Sequence, residues 1–116
     1  SCVGSDSDFI DYAIDKGIKG FVIEAMGRGN VPPEMVPGIK RAIESNIPVV
    51  IVSRCPMGRV LDSYGYSGGG KDLRNMGAIF GGNLNGQKAR IKLMLALGKT
   101  QNYQDIRSIF EMGAYK

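Results

Sequence analysis

This chain of 116 residues has few ways to build a nucleophile together with its base: it has no histidine, one threonine (Thr100) and two cysteines (Cys2 and Cys55). A Ser-His-Asp or Cys-His arrangement therefore cannot be assembled from it. A serine with a lysine base remains formally available, but Lys71, the lysine nearest the serine-containing loop, stands in no S-x-x-K spacing. Cys2 and Cys55 lack metal-ligand spacing and read as two free thiols of a reducing compartment, so neither a metal site nor a cofactor is expected.

The most promising group is Gly27-Arg28-Gly29-Asn30, which follows an apolar run and precedes a helical pattern. Open α/β sheets place ligand-binding loops at that point, and the Asn30 amide both donates and accepts hydrogen bonds. A plain tight turn is the alternative. The dinucleotide fingerprint G-x-G-x-x-G fails because its third glycine position is Pro32, which obstructs close helix–strand approach. Gly65 to Lys71 fits G-x-x-x-x-G-K and then also fails. Walker A needs Ser or Thr next, whereas Asp72 would repel phosphate. That stretch reads better as a flap or linker. Glu24 and Arg54 end two apolar runs, and would pair beside the glycine loop if the two strands are neighbours; a structural ion pair is the simpler role.

The elements that must position these residues alternate between helix and strand. Ser5 or Ser7 is expected to cap a helix through about Lys16, with Phe9, Ile10, Ala13 and Ile14 on one face and Gly17 as its stop. Residues 20–25 read as a buried strand, and Glu34 to Ser45 as a helix burying Met35, Val36, Ile39 and Ile43, with Pro37 tolerated in its first turn. Residues 48–53 form the clearest strand. Arg54 to Lys71 reads as a long loop, with a helical turn at Asp72 to Met76 and a short strand over 78–81. Asn85 is expected to cap a helix from Gly86 to Leu97, apolar nearly all round and so buried on more than one side. A last helix, Tyr103 to Met112, turns Ile106, Ile109 and Phe110 inward. Ser1-Cys2-Val3 reads as the end of an earlier strand.

This order predicts an α/β fold: a small, flavodoxin-like, three-layer lobe with a three- or four-stranded parallel sheet flanked by helices, in a single domain over residues 1–116. The net charge of +4 is spread without a basic cluster, which argues against nucleic-acid binding. No apolar run reaches the roughly 18 residues of a membrane span. The cytoplasm is preferred over export.

Taken in order, these residues resemble the C-terminal third of bacterial-type L-asparaginases. The resemblance runs through residues 19–23, the Gly27-Arg28-Gly29-Asn30-Val31-Pro32 loop, Ile47 to Val50 with Ser53-Arg54-Cys55, the 64–73 stretch, and Leu84-Asn85-Gly86-Gln87-Lys88-Ala89-Arg90. It implies the C-terminal domain of an amidohydrolase that converts L-asparagine, and more weakly L-glutamine, to the acid and ammonia. It also implies a homodimer or homotetramer whose nucleophilic threonines lie in an N-terminal domain; neither T-G-G-T nor H-G-T-D occurs in this chain. By the same resemblance Asn30, with Gly29, binds substrate across a dimer interface, and no residue of this chain is catalytic. The family's second contributor, a Glu on the following loop, has no counterpart near Ser63 to Tyr66. Two rivals stand beside this: a stand-alone amino-acid-binding module, and the asparaginase-like component of a tRNA-dependent amidotransferase.

Overall fold

The structure is a computed structural model that describes residues 7–25, 31–53, 70–82 and 84–113. Its strands are β1 (Phe21–Ala25), β2 (Val49–Ser53) and β3 (Ile79–Phe80). Its helices are α1 (Asp8–Asp15), α2 (Val36–Glu44), α3 (Gly70–Met76), α4 (Gly86–Lys99) and α5 (Tyr103–Gly113), with a 3-10 turn at Pro33–Met35 before α2. Both sheet pairings are parallel, in the order β1-β2-β3, with Phe21 opposite Val49 and Val50 opposite Ile79. The expected three-layer α/β lobe is what forms, with three strands among the described residues.

Parallel strands need crossovers on the sheet faces, and right-handed crossovers in one direction put their helices on one face. The α2 and α3 crossovers join α1 there, over Phe21, Ile23, Ala25, Val49, Ile51 and Phe80. On the other face α4 and α5 cover Val50, Val52 and Ile79, with Val22 half-buried. The four residues Val49 to Val52 are fully buried, as a continuous apolar strand between two helical layers must be.

Each of the three helices on the first face ends in the same way. The chain passes through a left-handed residue, Gly17 (φ 84°), Asn46 (φ 64°) or Gly77 (φ 110°). The amide of that residue donates to Ile14, Ile43 or Arg74, and the next amide donates back to Ala13, Ala42 or Leu73. These are Schellman turns, which satisfy the last helical carbonyls and reverse the chain into a strand within a few residues. Gly77 carries a further load: its carbonyl accepts from the Tyr103 hydroxyl and from Arg107 Nη2, each at 2.6 Å, which fastens α5 to the entry of β3. Glu111 Oε2 lies 3.6 Å from Arg74 Nη1 and 4.0 Å from Arg107 Nη1, so α3 and α5 also share a charge cluster.

Two expectations about α1 change. Phe9 is 76% exposed, because the buried arc runs through Ile10 and Ala13 and turns Phe9 outward. Ser7 precedes α1, but its hydroxyl makes no bond to its own helix. It donates to the Glu34 carbonyl at 2.7 Å and accepts from the Gly38 amide at 2.8 Å, tying α1 to the start of α2. The helix expected from Glu34 begins instead with the 3-10 turn, since Pro32, Pro33 and Pro37 supply no amide hydrogens for regular α pairing. In α4 only the face with Ala89, Leu93 and Ala96 is buried, while Ile91, Met94 and Leu95 are exposed in this chain. Ser1 to Val3, Cys2 and Cys55 lie outside the described residues.

Gly77→Ala is expected to cost about 1–2 kcal/mol from the left-handed backbone alone, with more added because the new methyl would stand 3.2 Å from Ile43 Cγ2. Asn46→Gly should stay within roughly 0.5 kcal/mol of the parent, since glycine adopts the same φ without strain. Chemical denaturation compares the two. Burial raises the pKa of Tyr103 above its ordinary value of 10.0. The neutral phenol is thus favoured in the fold, so its contribution is present below pH 10 and lost as pH rises through the higher folded value. Tyr103→Phe should lower stability at neutral pH and flatten the alkaline decline, as read from unfolding midpoints across pH.

Candidate functional site at the carboxyl edge of the sheet

Because all three strands run the same way, their carboxyl ends lie on one edge, the edge at which open α/β sheets bind ligands. Ala25 and Ser53 are register partners, so the chain leaves β1 and β2 side by side. Asn30 and Gly29, the expected substrate-binding residues, lie outside the described residues, as do Gly27, Arg28 and Arg54. What is described is the frame of that loop. Ala25 on one side is fully buried and Val31 on the other is 2% exposed, so the five intervening residues are anchored at both ends in the core.

The third connection, after β3, is glycine-rich for a steric reason. A Cβ on Gly81 would stand 2.5 Å from Val52 Cγ1, while the Gly81 amide donates to the Ile51 carbonyl at 2.8 Å. The chain then reaches Asn85, whose side-chain oxygen accepts from the Lys88 amide at 2.8 Å and caps α4 as expected. Capping leaves the positive end of the helix at the sheet edge.

Glu24 sits at that helix end. The strand's alternation turns Val22 and Glu24 toward α4, and Glu24 Cδ and Oε1 both lie 2.7 Å from where a Gly86 Cβ would stand. The expected pairing with Arg54 falls outside the described residues, whereas the contact with α4 joins residues far apart in the sequence. A helix that opens on glycine immediately after its cap is the one trace of it. Beside Glu24 runs an open groove of 680 Å³, with Asn85, Gln87 and Arg90 as its polar rim and Val22 and Met94 as apolar floor.

The other candidates do not join this edge. Thr100 ends α4, and α4 starts at the carboxyl edge, so its 14 residues carry the chain about 21 Å toward the opposite edge. There the Thr100 hydroxyl donates to Asp105 at 3.1 Å and accepts from the Asn102 amide at 3.0 Å, holding the turn into α5. Asp72, the residue that breaks the phosphate-loop pattern, lies in the first turn of α3. Among the described residues no three His, Cys, Asp or Glu side chains gather as metal ligands, and no helix is long and apolar enough to cross a membrane.

Comparison with known proteins gives the edge a context. Residues 1–110 match the model of the glutaminase/asparaginase C-terminal domain. The chain is 39% identical over 107 residues to the D subunit of the glutamyl-tRNA(Gln) amidotransferase of Pyrococcus abyssi, covering 91% of this chain and 24% of that protein. It is 42% identical over 96 residues to a probable L-asparaginase of Deinococcus radiodurans, covering 83% and 29%. With the L-asparaginase of Bacillus licheniformis it shares 38% over 92 residues, covering 79% and 29%. The chain thus spans about a quarter of the length of the curated relatives it matches.

Removing the cap by Asn85→Ala is expected to cost about 1 kcal/mol, and Asn85→Asp, which keeps an acceptor at the helix start, should restore most of it. Thermal unfolding of the three proteins measures the difference; equal midpoints for Ala and Asn would contradict the assigned role.

Proposed function

The chain belongs to the glutaminase/asparaginase family, and we propose that it is the C-terminal domain, over residues 1–116, of a longer amidohydrolase that converts L-asparagine to L-aspartate and ammonia, with L-glutamine as a second substrate. The observation that carries this reading is the match over residues 1–110. Ala25 at the carboxyl end of β1, and the burial of both Ala25 and Val31 on either side of residues 26–30, support it. In this reading the nucleophilic threonine belongs to an N-terminal domain outside this chain. The reaction is acyl transfer to its hydroxyl, followed by hydrolysis of the acyl-enzyme. Asn30 hydrogen-bonds the substrate's amino end and orients it in the active site of a neighbouring protomer of a homodimer or homotetramer. Free thiols at Cys2 and Cys55 would suit a cytoplasmic enzyme.

A second reading is favoured by one specific observation: several relatives of comparable identity are D subunits of glutamyl-tRNA(Gln) amidotransferases. In that case the same domain would support ammonia release for transfer-RNA-dependent amidation.

Kinetics of the full-length protein decide. Asn30→Ala should lower kcat/KM for the amide by about ten- to a hundredfold, the loss expected for one hydrogen bond to a charged group. Burst-phase acylation should persist, because the nucleophile is untouched. An unchanged kcat/KM would remove Asn30 from the site. Ammonia release from L-asparagine by the protein alone supports the first reading; release that requires charged transfer RNA and a partner protein supports the second.

A further inference from the structure

Exposed apolar surface is distributed unevenly over this domain. Among the described residues the large apolar side chains left exposed are Phe9 and Tyr12 on α1, Ile18 after it, and Ile91, Met94 and Leu95 on α4. None lies on α3 or α5, which cover the β3 side. Phe9 and Met94 come from opposite faces of the sheet, yet both line one groove of 420 Å³ with Phe21 and Val22 of β1, whose outer edge has no partner strand among the described residues. That groove shares Val22, Arg90 and Met94 with the 680 Å³ groove at the carboxyl edge, so the two run on along α4 and β1.

The exposed part of α4 has the pattern of a second packing face. Ala89, Leu93 and Ala96 face the sheet, whereas Ile91, Met94, Leu95 and Gly98 follow the i, i+3, i+4, i+7 spacing of a separate stripe. A Cβ on Gly98 would meet nothing within 4 Å, so no contact within this chain calls for glycine there. The stripe is flanked by Lys88, Arg90, Lys92 and Lys99, and α4 has no acidic residue.

We propose that this side of the domain, the outer edge of β1 with the outward stripe of α4, is where the rest of the longer protein docks, and that the segment it presents is apolar with acidic flanks. The proposal rests on the reading that the chain is one domain of a longer protein, and not on the substrate assigned to it. The matched region is 24% of the Pyrococcus abyssi protein and 29% of the Deinococcus radiodurans one, which leaves ample chain to cover a face. Sheet edges and contiguous apolar patches are normally covered. Charge selects among the occupants. A second α4 set against the first across a two-fold axis would bring like charges together. Nucleic acid suits the basic flanks but leaves the Ile91–Leu95 stripe without an apolar partner.

The test uses the full-length protein. Carbodiimide, which joins lysine amines to carboxylates in contact with them, should link Lys88 or Lys99 to acidic residues outside residues 1–116 of the same chain. Mixing isotopically light and heavy protein separates links within a chain from links between copies. Ile91→Ser and Leu95→Ser should each lower the thermal unfolding midpoint by about 3 °C or more, since these side chains lose burial only where something covers them. Gln104→Ser, at an exposed position of α5, should leave the midpoint within about 1 °C. Lys88→Glu places an acidic residue in the first turn of α4, which favours the helix itself. It should nevertheless lower the midpoint in dilute buffer, and lose most of that effect in about 1 M salt.

Midpoints that stay level or rise in Ile91→Ser, Leu95→Ser and Lys88→Glu overturn the proposal, because that is how a helix face in water behaves. So does the absence of any link from α4 to residues outside 1–116, and so do links that join light chains to heavy ones alone, which assign the face to a second copy. Should Ile91→Ser or Leu95→Ser fail to fold, cross-linking of the unaltered protein carries the test. If Asn30→Ala leaves the kinetics untouched, the functional reading falls while the cross-linking map still decides the docking side.

Discussion

The fold depends on the confinement of β2. It is hydrogen-bonded along both sides by parallel neighbours and covered on both faces by helices, and Val49, Val50, Ile51 and Val52 have no exposed surface. A strand in that position has no place for a polar side chain on either face. Parallel neighbours also forbid hairpins, so each connection must cross a face. The α2 and α3 crossovers take one face, with α1 beside them. The residues after β3 therefore pass to the other side, where α4 reaches back to β1 and α5 covers β3. The three layers follow from one strand.

That arrangement divides the sheet into two unlike edges. At the amino edge, three Schellman turns at Gly17, Asn46 and Gly77 deliver the chain into its strands, and the Thr100 hydroxyl is occupied in the turn between α4 and α5. These residues hold the fold together through backbone geometry and saturated hydrogen bonds. At the carboxyl edge β1 and β2 end as neighbours, with Ala25 opposite Ser53, and the capped end of α4 supplies a local positive field. The hydroxyl of Thr100, the single threonine, is thus on the stabilising edge.

Some of this was legible in the sequence because local and tertiary preferences agree. The run Val49 to Val52 is apolar at every position, so both faces had to be covered, and Asn85 before Gly86 is a cap in any context. Local preference misleads where two partners compete for one group. Ser7 has the residue type and place of a cap, yet the Gly38 amide and the Glu34 carbonyl take its hydroxyl instead. Phe9 lies one position from Ile10, and the spacing of 9, 10, 13 and 14 fits two overlapping arcs; the contact of α1 with α2 selects the one that turns Phe9 out. The face of α4 with Ile91, Met94 and Leu95 shows that an apolar helix need not bury all of itself within one chain. The setting of Glu24 left one glycine, Gly86, as its trace in the sequence, since it is made by a helix far along the chain.

Four of the seven positions of the Leu84–Arg90 segment have a separate steric or electrostatic task. Leu84 is half-buried against the α4–α5 layer, and Asn85 satisfies the Lys88 amide. Gly86 yields its side-chain space to a carboxylate from another element, and Ala89, with no exposed surface, lets the helix axis approach the sheet closely. A larger residue at 89 would lift α4 from Val50 and Val52, and with it the helix end that Glu24 meets. None of these tasks is catalysis. The segment's specificity records how α4 must be docked for its N-terminus to reach β1, which is a constraint of packing that the carboxyl edge then exploits.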